Sequence, residues 1–180
     1  MRNARNTDGC TRGESAAMRS LVKVVRLVNL VLAGMLTGNE FATLAAIYPA
    51  LDRITPMARL EALQGVYRRM STIMPYYMLS TLFSFLPALI LQRRPGSPAF
   101  RFTLAGMACY FGMVMITRRG NLPINDRIEE MPTEEASLEE FGELRERWTR
   151  LHAARNVLNV AGFIFTALGA LSETRSKRAP

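Results

Sequence analysis

One histidine, two cysteines and one tryptophan occur among 180 residues, and these scarcities remove several chemistries at once. A lone His152 without clustered cysteines cannot complete a zinc site of the usual kind, nor the facial triad of a non-haem iron centre, within one chain. Bis-histidine haem ligation would need a second subunit. Cys10 lies in a polar stretch and Cys109 in an apolar one, so a disulfide between them is not expected. No Cys-x-x-Cys occurs, which removes the usual sign of a thiol oxidoreductase. There is no glycine-rich phosphate loop, no dinucleotide fingerprint and no Ser-His-Asp nucleophile motif. The eleven methionines are scattered as packing residues rather than grouped as copper ligands.

Apolar residues are plentiful. They make up 49% of the chain and are gathered into four runs, Leu21 to Tyr48, Ile73 to Leu91, Phe100 to Thr117 and Leu151 to Leu171. Each run has about 18 residues or more, enough as a helix to cross a hydrocarbon core of about 30 Å. The second and third lack the polar face a soluble amphipathic helix requires, which argues against a soluble bundle. We therefore expect an all-α integral membrane four-helix bundle over residues 19–172, between a disordered polar tail (1–18) and a basic tail (173–180). Met18, where the membrane-like pattern begins, is a second candidate start. The first run is too long for a cleaved signal peptide. Thr55-Pro56 reads as a cap and first helical position, opening a short amphipathic helix at the membrane surface before Pro75 starts the second span. Pro87 is expected to kink the end of that span. Gln92 to Pro98 reads as a turn, as does Arg118 to Asn125. Leu138, Phe141, Leu144, Trp148 and Leu151 keep helical register into the last run, predicting one long rod, and the acidic stretch Glu129 to Glu146 reads as a solvated face.

The net charge of +8 would suggest nucleic acid in a soluble protein. Here the basic residues flank the apolar runs: Arg19, Lys23 and Arg26, then Arg93 and Arg94, then Arg175, Lys177 and Arg178. The positive-inside rule then predicts both termini and the short second loop in the cytoplasm, and the chain is expected in the cell (inner) membrane. The partner is the lipid bilayer, and no nucleic acid is expected; a homo-oligomer is compatible with the pattern.

The candidate site starts from Trp148, His152, Arg155 and Asn159, which fall within roughly 60° of one another on a helix. A histidine and an arginine heading an apolar segment are costly near lipid and are expected to face protein, water or a ligand. With four antiparallel spans, the ends holding Asn39 and Glu40, Asn121 and Asn125, and this stripe lie on one membrane side. Glu40 is open to two compatible roles: neutralising Arg155 in a buried pair, or orienting His152 and acting as a base. Arg155 suits an oxyanion or a headgroup. Trp148 suits a site or an interfacial belt, and the two asparagines suit a site or a turn. Metal ligands are not expected.

Four motifs carry a resemblance: Gly38-Asn39-Glu40-Phe41, Tyr48-Pro49-Ala50-Leu51, Asn121-Leu122-Pro123-Ile124-Asn125, and Trp148-Thr149-Arg150-Leu151-His152-Ala153-Ala154-Arg155. Over about residues 20–172 the chain resembles the anthrone oxygenase-like family of small membrane proteins, whose bacterial members are mostly catalogued as a domain of unknown function. The resemblance implies a four-span helical protein and, for some members, oxidation of an anthrone to an anthraquinone by O₂ without a cofactor, a polyketide-tailoring type of reaction. On that footing His152 is the candidate base, Arg155 with Asn125 or Asn39 the candidate oxyanion stabilisers, and Glu40 the residue that orients them. Asn121, Asn159, Trp148, Phe41 and Tyr48 are candidates for binding a flat aromatic substrate. The competing expectation is a non-catalytic membrane protein, an accessory subunit or small-molecule binder, whose polar cluster holds the helices together.

Overall fold

The computed structural model describes residues 4–92 and 95–175, and among them there is no strand. The elements are α1 (Ala4–Ala42), a π-helical turn (Thr43–Ile47), α2 (Tyr48–Leu51), α3 (Pro56–Ile90), α4 (Pro98–Ile116), a second π-helical turn (Thr117–Asn121), α5 (Leu122–Glu129), a 3₁₀ turn (Glu135–Ser137) and α6 (Leu138–Arg175). Four helical stretches, Ala16–Leu51, Pro56–Ile90, Pro98–Glu129 and Glu135–Ser172, are long and apolar enough to cross a membrane. The protein is a multi-pass, all-helical membrane protein. Arg93, Arg94, Lys177 and Arg178, which carry much of the expected orientation, lie outside the described residues.

Two starts follow the same local rule. Thr55 accepts from the Ala58 amide at 3.4 Å and Ser97 accepts from the Phe100 amide at 3.2 Å. Each is followed by a proline whose missing N–H costs nothing at the first helical position.

The structure departs from expectation in three places. Helix α1 begins at Ala4, within the stretch expected as a disordered tail; adding residues to a nucleated helix costs far less than starting one. The amphipathic segment beginning at Pro56 is not a separate surface helix but runs through Pro75 into the second span as one 35-residue helix. Pro75 deprives only the Ser71 carbonyl of its partner, and Ser71 is exposed. The expected turn at 118–125 is helical throughout, because a wider π turn precedes Pro123 and lets the chain continue.

The two π turns set which residues face inward. Each ends two residues before a proline, at Ile47 before Pro49 and at Asn121 before Pro123. In an uninterrupted α-helix two residues eight apart differ by about 80°, whereas one extra residue in a π turn brings them to within about 20°. Glu40 and Tyr48 are eight apart, as are Met113 and Asn121, and all four are buried.

Helices α4 and α6 pack tightly through small residues. A Cβ added to Gly162 would lie 2.9 Å from the Tyr110 ring, and one added to Gly106 would lie 3.2 Å from the Gly162 carbonyl. Small residues let the backbones approach closely, which favours helix pairing in lipid. Two apolar cores result. One, between the spans, contains Ala33, Leu36, Met78, Phe85, Tyr110 and Met113. The other joins α2, α3, α5 and α6 through Tyr48, Leu60, Leu63, Tyr67, Ile124, Ile128, Met131, Phe141 and Trp148. Helices α3 and α6, at 35 and 38 residues, contribute to both. At 1.5 Å per residue each is over about 50 Å long, well beyond a hydrocarbon core of about 30 Å.

Candidate functional site

Between the two cores lies a layer of buried polar side chains: Thr37 and Glu40 from α1, Asn121 from the second π turn, and His152, Arg155, Asn156 and Asn159 from α6. Its centre is a charged pair, Arg155 Nη2 donating to Glu40 Oε1 at 2.5 Å. The other Glu40 oxygen, Oε2, lies 3.4 Å from His152 Nδ1. One carboxylate thus faces both an arginine and a histidine. Neither charged group is left alone in the interior, where a lone charge would cost several kcal/mol.

The histidine tautomer follows from Asn156. Its Nδ2 donates to the His152 carbonyl at 3.1 Å and lies 3.2 Å from His152 Nε2. A carbonyl takes only a donor, so the NH₂ end of the amide faces both atoms and Nε2 accepts. The proton of the neutral imidazole then sits on Nδ1, toward Glu40. Nε2 is then the basic nitrogen, and the Glu40 carboxylate faces Nδ1 at 3.4 Å without a formed hydrogen bond.

Aromatic rings enclose the imidazole. Trp148 stacks on His152 with centroids 4.5 Å apart, and Tyr48 meets His152 edge-on at 5.6 Å. Tyr48 and Tyr67 also pack on Trp148, at 4.8 and 6.1 Å. Trp148 is fixed by amides: its Nε1 donates to Asn125 Oδ1 at 2.6 Å, and Asn121 Nδ2 donates to its carbonyl at 3.4 Å. Below this level the Tyr110 hydroxyl donates to the Ala33 carbonyl at 3.0 Å and lies 2.7 Å from Thr37 Oγ1, tying α4 to α1.

Several buried atoms of the layer have no hydrogen-bond partner: Glu40 Oε2, His152 Nδ1, Arg155 Nε, Asn156 Oδ1, Asn121 Oδ1 and both amide atoms of Asn159. Such atoms are costly and few in a settled interior, so their concentration around one face of α6, with Glu40 from α1 and Asn121 from the second π turn, marks this layer as the candidate site. An apolar groove of about 380 Å³ between α3 and α4, lined by Leu82, Phe83, Leu86, Met107, Ala108 and Phe111, shares no residue with this layer. Among the described residues no group of three or more His, Cys, Asp or Glu is placed to hold a metal ion.

A family model described as anthrone oxygenase matches residues 63–165, more than half of the chain. The chain belongs to the anthrone oxygenase family. No curated protein and no solved structure matches it. The family match runs from α3 to α6 and so contains Tyr67, Asn121, Asn125, Trp148, His152, Arg155, Asn156 and Asn159. Glu40 and Tyr48 come from the part of the chain before it.

Of the residues expected at an anthrone oxygenase-like site, the fold brings together Glu40, Tyr48, Asn121, Asn125, Trp148, His152, Arg155 and Asn159. Two stand apart. Phe41 is 55% exposed on the outside of the bundle, because it follows the inward Glu40 by one helical step of about 100°. Asn39, one step the other way, is half-buried with its Nδ2 4.0 Å from Met74 Sδ on α3. Three residues were not singled out as site residues. Asn156 is one helical turn beyond His152, and Tyr67 reaches the site because α3 is continuous. Arg145 lies three residues before Trp148 in the same stripe. It sits in the stretch expected to be solvated, yet it is only 7% exposed.

Proposed function

We propose that this protein is a membrane-embedded oxidase or oxygenase that converts an anthrone, or a related polycyclic phenol, to a quinone with O₂ and without a bound cofactor. The supporting observation is the buried Arg155–Glu40–His152 arrangement stacked against Trp148, in a chain of the anthrone oxygenase family. His152 Nε2 is the base that takes a proton from the substrate methylene, displacing the Asn156 amide. Glu40 stabilises the imidazolium so formed, and Arg155 balances the carboxylate. The electron-rich anthrolate passes electrons to O₂, and a C–O bond forms at the former methylene carbon. Proton return gives the hydroperoxide, and loss of water leaves the second carbonyl. One oxygen atom enters the product and the other leaves in water. Trp148 and Tyr48 provide flat surfaces for the rings.

The test is O₂ uptake by the purified protein against a panel of anthrones and hydroquinones, with and without chelator. We expect quinone formation unaffected by chelator and, from the anthrones, one labelled oxygen per quinone under ¹⁸O₂. Full activity in a folded, membrane-inserted His152→Ala protein would sink the assignment of the base.

A further inference from the structure

The Arg155 charge is already answered by Glu40, so another group must meet the negative oxygen that develops when an anthrone loses its proton. Arg145 is a buried arginine that makes no ion pair among the described residues. Its Nη1 donates to Thr149 Oγ1 at 3.0 Å, and its Nε is buried without a hydrogen-bond partner. Its guanidinium lies 3.9 Å from the centroid of the Tyr48 ring and 5.5 Å from that of Trp148. Those two rings also hold His152. Arg127 on α5 illustrates the contrast: exposed, it is bidentate to Glu140 at 2.6 and 2.8 Å. Cation–π contacts offset part of the cost of burying Arg145, but they leave its Nε–H without an acceptor and its charge without an ion-pair partner.

We propose that Arg145 is the anion-recognition group of this site, and that it holds the ring oxygen of a polycyclic phenol as a phenolate or enolate against the Tyr48 and Trp148 faces. The substrate class is thereby narrowed to aromatics bearing an acidic ring oxygen rather than plain hydrocarbons. The proposal rests on the functional reading above, and it makes Arg145 rather than Arg155 the oxyanion partner. Arg145 supplies charge-assisted hydrogen bonds that strengthen as the oxygen becomes anionic.

Binding of non-reacting quinones separates this from the oxidation itself. The purified protein is titrated with a hydroxyanthraquinone and with unsubstituted anthraquinone, following absorbance and quenching of Trp148. We expect the hydroxylated probe to bind with the red-shifted spectrum of its phenolate at a pH where the free probe is neutral. Arg145→Gln should lose that shift and at least about tenfold in affinity for the hydroxylated probe, with little change for the unsubstituted one. Arg145→Lys, which keeps the charge, should retain part of both and serves if the glutamine variant fails to fold. An equal loss for both probes would mean that Arg145 only props up the aromatic cluster and would overturn the proposal. So would a wild-type protein that binds neither probe or never shifts the spectrum. Phenolate recognition without O₂ uptake would sustain the role of Arg145 and refute the oxidase reading; O₂ uptake unaffected by Arg145→Gln would do the reverse.

Discussion

Glu40 shows how much depends on a single side chain. It answers Arg155 at 2.5 Å and faces His152, all three buried. Glu40→Gln leaves the guanidinium buried against a neutral amide, and we expect a loss of about 3–5 kcal/mol of stability. The double variant Glu40→Gln/Arg155→Gln should recover much of it, because no unpaired charge then remains. A double-mutant cycle by reversible denaturation in detergent measures the coupling, and additive losses would contradict the buried pair. Trp148 offers a second measurement, since it is the only tryptophan. It is buried and stacked on His152, so its emission should be blue-shifted and shielded from a soluble quencher, and His152→Leu should change its intensity without a red shift. The stripe of Trp148, His152, Arg155 and Asn159 is legible in the sequence because helical spacing alone aligns it. Arg145 is hidden because its neighbours Glu143, Glu146 and Arg147 are solvated, and local composition cannot show that one residue of a charged stretch turns inward.

At the level of elements, the π turns are what the sequence conceals. Asn121 to Asn125 carries the composition of a turn, yet the chain is helical there; only the register shift puts Asn121 and Asn125 against Trp148. Deleting Ala45 should convert the first π turn to a regular α turn with Glu40 and Tyr48 seven residues apart, still within about 20° of one another. We expect such a protein to insert and to keep the Tyr48–Trp148 contact, read as unchanged near-ultraviolet dichroism of the aromatic cluster, and a collapse of that signal would show that the π turn does more than set the register. The α4–α6 contact makes a different demand. Gly162→Val must displace the Tyr110 ring, which a Cβ would approach to 2.9 Å, and we expect a cost of about 1–3 kcal/mol. Equal stability of the Gly162→Val protein would show that α4 and α6 can separate freely. The spans themselves, by contrast, follow from run length alone, which is why four long apolar helices are readable without coordinates.

In the whole molecule, alternation of the four spans sets the ends of α1 and α4 and the beginnings of α3 and α6 on one side. Cysteines introduced at Glu61 and Glu143 in a Cys10→Ser/Cys109→Ser background should therefore react with an impermeant reagent from the same side, and one at Arg101 from the other. Labelling of Arg101→Cys together with Glu61→Cys would break the four-span topology.

The exposed flanks of the charged layer carry a further consequence. Phe41 is 55% and Val157 70% exposed, and they adjoin Glu40 and Asn156 in sequence. Under the proposed function, apolar surface of this kind at the level of the buried polar layer places the reaction within reach of molecules dissolved in lipid. The quantity that governs turnover is then the two-dimensional mole fraction of substrate, not its bulk concentration. Under the proposed function, adding inert phospholipid at constant volume should slow the reaction by surface dilution, while adding buffer at constant lipid should leave the rate per protein unchanged.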